Sequence, residues 1–216
     1  FSTNSEAYVD VPGFSRWLDA QDQSPGYRTL RRLLQLVQWQ KRQRGEPGRR
    51  WVLKTPHHLG FMALLFEVFP DVKVIQTHRD PLQTIPSFAS LVHTIRTTGS
   101  DHVDAHAVGL QWCERMRRAL ESCMDFREMH SERFLDLDYA VLVADPMAAI
   151  RRIYAFAGDE LTAATESRMR EWAVENARDQ RPVHRYTVGQ FGLSEAGLAR
   201  DFARYRARYV TGAATR

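Results

Sequence analysis

The sequence predicts a helix-rich α/β fold with a parallel sheet, and three observations carry that prediction. Short apolar runs at Trp51-Val52-Leu53, Val72 to Thr77 and Arg133 to Leu137 are strand-like in length and bounded by turn residues. Segments of helical periodicity separate them, and crossovers of that length join parallel strands. Polar clusters follow the first two runs directly, Lys54-Thr55-Pro56-His57-His58 and Thr77-His78-Arg79-Asp80-Pro81. Open α/β sheets bind their ligands at such strand ends.

In order along the chain, Phe14, Trp17 and Leu18 stand at i, i+3 and i+4 and predict a short amphipathic helix. Ser24-Pro25-Gly26 opens a second helix, whose stripe is Leu30, Leu33, Leu34 and Val37 and which ends before Gly45-Glu46-Pro47-Gly48. Trp51-Val52-Leu53 reads as a buried strand. His58 to Phe69 then has helical character, with Phe61, Leu64, Leu65 and Val68 on one side and Pro70-Asp71 as its stop. After the second strand, Asp80 caps a helix with Pro81 at its first position. That helix runs past Ser87 toward Ile95, and Pro86 inside it predicts a kink or local break. A long helix spans about His102 to His130, the third strand follows, and Asp145-Pro146 caps a helix closed by Gly158. Leu161 to Arg178 is another helix. Arg181 to Leu193 is irregular, basic and aromatic. A last helix covers about Ser194 to Tyr209, with Leu198, Phe202 and Tyr205. Three strands are few beside the usual sheet of about five. The chain reads as one domain over 1–216, with a helical lead-in at 1–49, an α/β core at 50–158 and a C-terminal closing segment at 159–216.

Composition excludes several classes. Of 216 residues, 44% are hydrophobic and 26% charged, which is globular and not disordered. Thirty Lys and Arg against 26 Asp and Glu give a net charge of +4, a modest excess that suits an anionic small ligand. The basic stretch Lys41-Arg42-Gln43-Arg44 with Arg49-Arg50 lacks interleaved aromatics and reads as a solvated loop, not a nucleic-acid surface. The longest apolar run, near Phe61–Phe66, is too short to span a bilayer. Cys113 and Cys123 lie ten apart in one helical segment, where they cannot meet, and read as reduced packed thiols. With no secretory leader in view, a cytoplasmic location is expected. His102 and His106 share a helical spacing but lack a third ligand, so no metal is expected.

If the first two strands are parallel neighbours, both polar clusters lie on one sheet edge, each followed by a helix N-terminus. Lys54 and Arg79 then join two sets of free N–H groups, an arrangement for phosphate or sulfate. The competing reading pairs Arg79 with Asp80 and leaves Lys54 solvated.

The run Trp51 to Leu59, followed by Phe69 to Pro81, resembles the sulfotransferase family, in its bacterial, largely actinobacterial branch. The resemblance continues through Asp138-Tyr139, Asp145-Pro146, His184-Arg185-Tyr186 and Phe191-Gly192-Leu193, and covers most of the chain from Tyr27 onward. It implies a three-layer sheet of the P-loop nucleotide-kinase type. It also implies transfer of a sulfuryl group from 3′-phosphoadenosine 5′-phosphosulfate (PAPS), an adenine-nucleotide co-substrate, to a hydroxyl of a small acceptor without a metal. By the same resemblance Arg79 and Ser87, eight apart, bind the 3′-phosphate, Tyr139 contacts the adenine, and His184, Arg185 and Tyr186 close over the nucleotide. Lys54 is the cation at the leaving phosphate, and His57 or His58 the base. Pro56 leaves that choice open, with the lean to His58. The Gly-rich loop that wraps the 5′-phosphosulfate in this family, with the strand before it, is not found in the sequence. The expectation is a chain resembling the C-terminal two-thirds of such an enzyme, inactive alone and poorly soluble or homodimeric. A non-catalytic nucleotide-binding domain and, less favoured, a nucleotide-dependent kinase are the alternatives.

Overall fold

The computed structural model describes residues 4–176 and 185–210. Helices α1 (Asn4–Tyr8), α2 (Pro12–Asp19) and α3 (Ser24–Gln43) lead in, and α4 (Met62–Val68) precedes strand β1 (Val74–His78). Helices α5 (Pro81–Thr97) and α6 (Ala105–Arg127) cross to β2 (Phe134–Asp138). Then follow α7 (Tyr139–Ala144), α8 (Pro146–Ala157), α9 (Ala163–Glu175), α10 (Glu195–Asp201) and α11 (Ala203–Tyr209). The strands pair in parallel, Val74 opposite Phe134 through His78 opposite Asp138, so both run out at the same end. The fold is the expected helix-rich α/β class with a small parallel sheet.

The first expected strand is not in that sheet. Residues 51–55 have no regular secondary structure and pair with no strand among the described residues, and Val52 is 87% exposed. An apolar run reports a preference for burial, whereas a strand needs a neighbour's ladder, which is a non-local requirement. Ile75 of β1 is exposed as well, so this side of the sheet is open.

Other departures have local causes. Residues Pro56–Phe61 form a 3-10 helix ahead of α4, with Thr55 Oγ1 accepting the His57 N–H. α5 runs unbroken through Pro86, whose ring is buried. Phe14 and Trp17 of α2 are exposed, and Leu18 and Ser15 are the buried side. α3 buries Tyr27 against α4 while Leu33, Leu36 and Trp39 stay exposed. The single helix expected at 194–209 is two, meeting at buried Phe202, which has non-helical φ −111° and ψ 19°. Gly158 closes α8 in the left-handed conformation, as its position indicates. α7, capped by Asp138, was not expected.

α5 and α6 form the centre of the molecule. Ala89, Val92, Val108 and Trp112 on these two helices enclose Phe191, and Ile85 and Cys113 receive Leu198 and Phe202 from the C-terminal helices. Phe191 is fully buried. It fits because residue 109 is glycine: a Cβ there would lie 2.1 Å from the Phe191 carbonyl oxygen. A second cluster joins Tyr27, Met62, Leu65, Phe66, Cys123 and Phe134. Both cysteines are free and buried, and burial raises both thiols, Cys123 to about 11.

Candidate functional site

Parallel register brings together residues sixty positions apart. His78 pairs with Asp138, so the next residue on each strand, Arg79 and Tyr139, leaves the sheet at the same end. The Arg79 guanidinium lies over the Tyr139 ring, 4.7 Å from its centroid. Its Nε donates to Gln83 Oε1 at 3.1 Å, one helical turn into α5. The Tyr186 hydroxyl donates to the Gln83 carbonyl oxygen at 3.4 Å. Tyr139, Arg79, Gln83 and Tyr186 thus form a continuous chain across the strand ends.

Arg79 and Ser87 share a cleft of about 470 Å³ with Thr84, Phe88, Leu91 and Thr94. The steps of four residues from 84 to 88 and from 87 to 91, and of three from 91 to 94, follow one face of α5, whose first turn also lies next to Arg79. The cleft therefore offers a guanidinium fork and hydroxyls above an apolar floor.

The competing ion pair does not form. Asp80 binds Arg206 through both oxygens, at 3.0 and 3.1 Å, and caps the Leu82 N–H at 3.0 Å. Among the described residues Arg79 forms no salt bridge. Asp138 likewise caps α7 through the Ala140 N–H at 2.7 Å. Two helix N-termini do meet at this edge, but they are those of α5 and α7, and their own carboxylates already occupy them. The second turn expected there, after Lys54, is a 3-10 helix. An anion placed at this edge would therefore meet side chains, above all Arg79, and not free helix N-termini.

The catalytic candidates stand on a separate element. Lys54 is exposed on the irregular 51–55 segment and has no hydrogen bond, ion pair or ring partner among the described residues. His57 and His58 sit half-buried on the 3-10 turn, which packs on α6. The His57 ring lies 4.8 Å from Phe61. His58 Nδ1 is 2.9 Å from the Tyr27 hydroxyl, and burial raises that phenol so that it stays protonated. Burial also lowers both imidazoles, His57 to about 4, with repulsion from His58 and Arg115 adding to it. Both rings are neutral at pH 7 and each keeps a lone pair to accept a proton. Of the nucleotide candidates, Arg185 is exposed, and His184 lies outside the described residues.

The depressed His57 has a stability consequence. Between about pH 6.5 and 4 the unfolded chain binds a proton that folded His57 refuses, so folded stability falls as pH drops through that window. His57→Gln should flatten this part of the acid sensitivity, seen as a smaller fall in Tm between pH 7 and 4.5. An unchanged fall would contradict the burial of this ring.

The sequence did not reveal Gln83, Tyr27 or the polar groups behind the strand ends. Gln83 was accessible in principle, standing at i+4 from Arg79. Among the described residues no group of three His, Cys, Asp or Glu side chains is placed to hold a metal, and no helix is long and apolar enough to cross a membrane.

A family model described as the sulfotransferase family matches residues 2–163. The chain belongs to the sulfotransferase family. Among solved structures it resembles sulfotransferase STF9 from Mycobacterium avium, with TM-score 0.82 and 32% identity over 94% of this chain and 51% of that one. Sulfotransferase STF1 from Mycobacterium tuberculosis follows with TM-score 0.77, 31% identity and the same coverage. The ω-hydroxy-β-dihydromenaquinone-9 sulfotransferase Stf3 of Mycobacterium bovis and of Mycobacterium tuberculosis is 27% identical over 206 residues, 90% of this chain and 50% of the relative. The chain thus spans about half the length of the relatives it matches. These sulfotransferases share a P-loop-like fold, and the mycobacterial matches agree with the actinobacterial branch.

Proposed function

We propose that this chain carries the 3′-phosphate side of a sulfotransferase site, with PAPS as the donor and a hydroxyl of a small molecule as the acceptor. The observation that supports it most is the shared cleft of Arg79 and Ser87 with Tyr139 stacked on the guanidinium. A phosphate monoester there meets a planar donor fork and a hydroxyl, and an adenine finds an aromatic neighbour. Tyr186, with Arg185 beside it, belongs to the segment that covers this nucleotide.

In the transfer, the acceptor oxygen attacks sulfur while the bond from sulfur to the 5′-phosphate oxygen breaks, releasing 3′-phosphoadenosine 5′-phosphate. Negative charge grows on the leaving oxygen, and Lys54, exposed and unpaired, is the cation available to it. The acceptor proton goes to a neutral imidazole. His58 is the better placed of the two: in the tautomer whose Nδ1–H donates to the Tyr27 oxygen, Nε2 keeps the lone pair that takes the acceptor's proton. A hydroxyl acceptor also agrees with the hydroxylated lipoquinone in the name of Stf3.

Calorimetric titration with 3′-phosphoadenosine 5′-phosphate and with AMP tests this reading. Hydrogen bonds to a charged group contribute about 1.5–3 kcal/mol each, so the bisphosphate should bind at least roughly tenfold tighter. Equal affinities would overturn it.

A further inference from the structure

Arg79 has one neighbour on each side in the sequence, and the same C-terminal helix grips both. On the strand side, His78 is 3% exposed. Its Nε2 donates to Asp136 Oδ1 at 2.7 Å, and its Nδ1 lies 2.9 Å from the Tyr205 hydroxyl. The Tyr209 ring stacks on the imidazole at 4.2 Å and 7°. Arg127 anchors this group from α6, with Nη2 donating to both Asp136 oxygens at 2.7 Å and Nη1 to Gln76 Oε1 at 2.6 Å. Burial works against the Asp136 carboxylate, yet hydrogen bonds from His78 and Arg127 hold its carboxyl below the usual range. On the helix side, Arg206 binds Asp80 through Nε and Nη2. Tyr205, Arg206 and Tyr209 are all on α11.

Neither grip is a surface ornament. The Arg206 and Asp80 side chains are only 18% and 20% exposed, and the His78 ring has a partner on both nitrogens and on one face. Between these two fixed points Arg79 bridges the end of β1 and the start of α5. A small rotation of the backbone at either neighbour swings the far end of a long side chain, and about 1 Å of displacement is enough to spoil a directional contact.

We infer that Tyr205 and Arg206 are positioning residues for nucleotide selection: α11 clamps the side chains of the residues on both sides of Arg79 and so aims its guanidinium at the 3′-phosphate. This inference rests on the 3′-phosphate assignment proposed above. It gives the C-terminal helix a role in specificity without any contact to the ligand.

The test uses the 216-residue chain with Tyr205→Phe, which keeps the ring and removes the hydroxyl, and with Arg206→Gln. Affinities for 3′-phosphoadenosine 5′-phosphate and AMP are measured by calorimetry, and folding by thermal melting. Each variant should lower the preference for the bisphosphate by about fivefold or more, the scale of one misdirected charged hydrogen bond, with AMP affinity within about twofold of wild type. Arg206→Lys, which keeps the charge but loses the fork, should fall between. In an Arg79→Ala background the same changes should no longer alter the preference, because the residue they aim is gone. An unchanged preference, or an equal loss for both nucleotides, would overturn the clamp and reduce α11 to a structural support. A wild-type chain that does not distinguish the nucleotides would contradict the 3′-phosphate assignment itself, and the clamp with it. Should Arg206→Gln fail to fold, Tyr205→Phe decides.

Discussion

Arg79→Ala should remove the discrimination between 3′-phosphoadenosine 5′-phosphate and AMP. The loss expected for the bisphosphate is roughly a hundredfold, since two charged hydrogen bonds from one guanidinium fork go together. AMP affinity should change much less, through the lost contacts with Tyr139 and Gln83. Arg79→Lys should recover part of the loss, because an ammonium keeps the charge but lacks the fork and the flat stacking face. Ser87→Ala should cost less than Arg79→Ala, as it removes one neutral hydroxyl from the same cleft. A calorimetric series over the three variants checks the order. An Arg79→Ala chain that still prefers the bisphosphate would place the 3′-phosphate elsewhere.

Phe191→Ala should destabilise the fold more than any of the substitutions at the site. The ring is fully buried among Ala89, Val92, Val108 and Trp112, and emptying such a site costs about 3–5 kcal/mol. The Phe191 carbonyl sits where a Cβ on residue 109 would be, so α6 can offer no side chain there to fill the space. The effect should reach the site, because Tyr186, five residues earlier, loses the anchor that holds its segment to α5. Urea unfolding measures the cost, and a value below about 1 kcal/mol would show that residues 189–191 are not part of the core.

The sequence made the local features of this site legible, while the structure supplied the long-range ones. Asp80 and Asp145 announced their helices because a capping carboxylate followed by proline is a local signal. Gly158 ended its helix for an equally local reason. Arg79 and Ser87 were paired through the family resemblance, and their place on one strand–helix unit explains why both line the same cleft. Tyr139 was reached through the family resemblance, and parallel register explains why it arrives beside Arg79. Val52 and Leu53 show the limit: their hydrophobicity is plain, but pairing depends on a neighbour that no local pattern encodes. The grip of Arg206 on Asp80 spans 126 positions and was equally invisible. The sequence offered Arg79 as the partner of Asp80, and geometry assigned that role to Arg206.

The central proposal is a nucleotide 3′-phosphate held in the cleft that Arg79 forms with one face of α5. A crystal structure of the chain with bound 3′-phosphoadenosine 5′-phosphate tests it most directly. The 3′-phosphate should lie within hydrogen-bonding distance of the Arg79 guanidinium and the Ser87 hydroxyl, with the adenine beside Tyr139. A nucleotide bound with its 3′-phosphate away from Arg79 and Ser87 would contradict it.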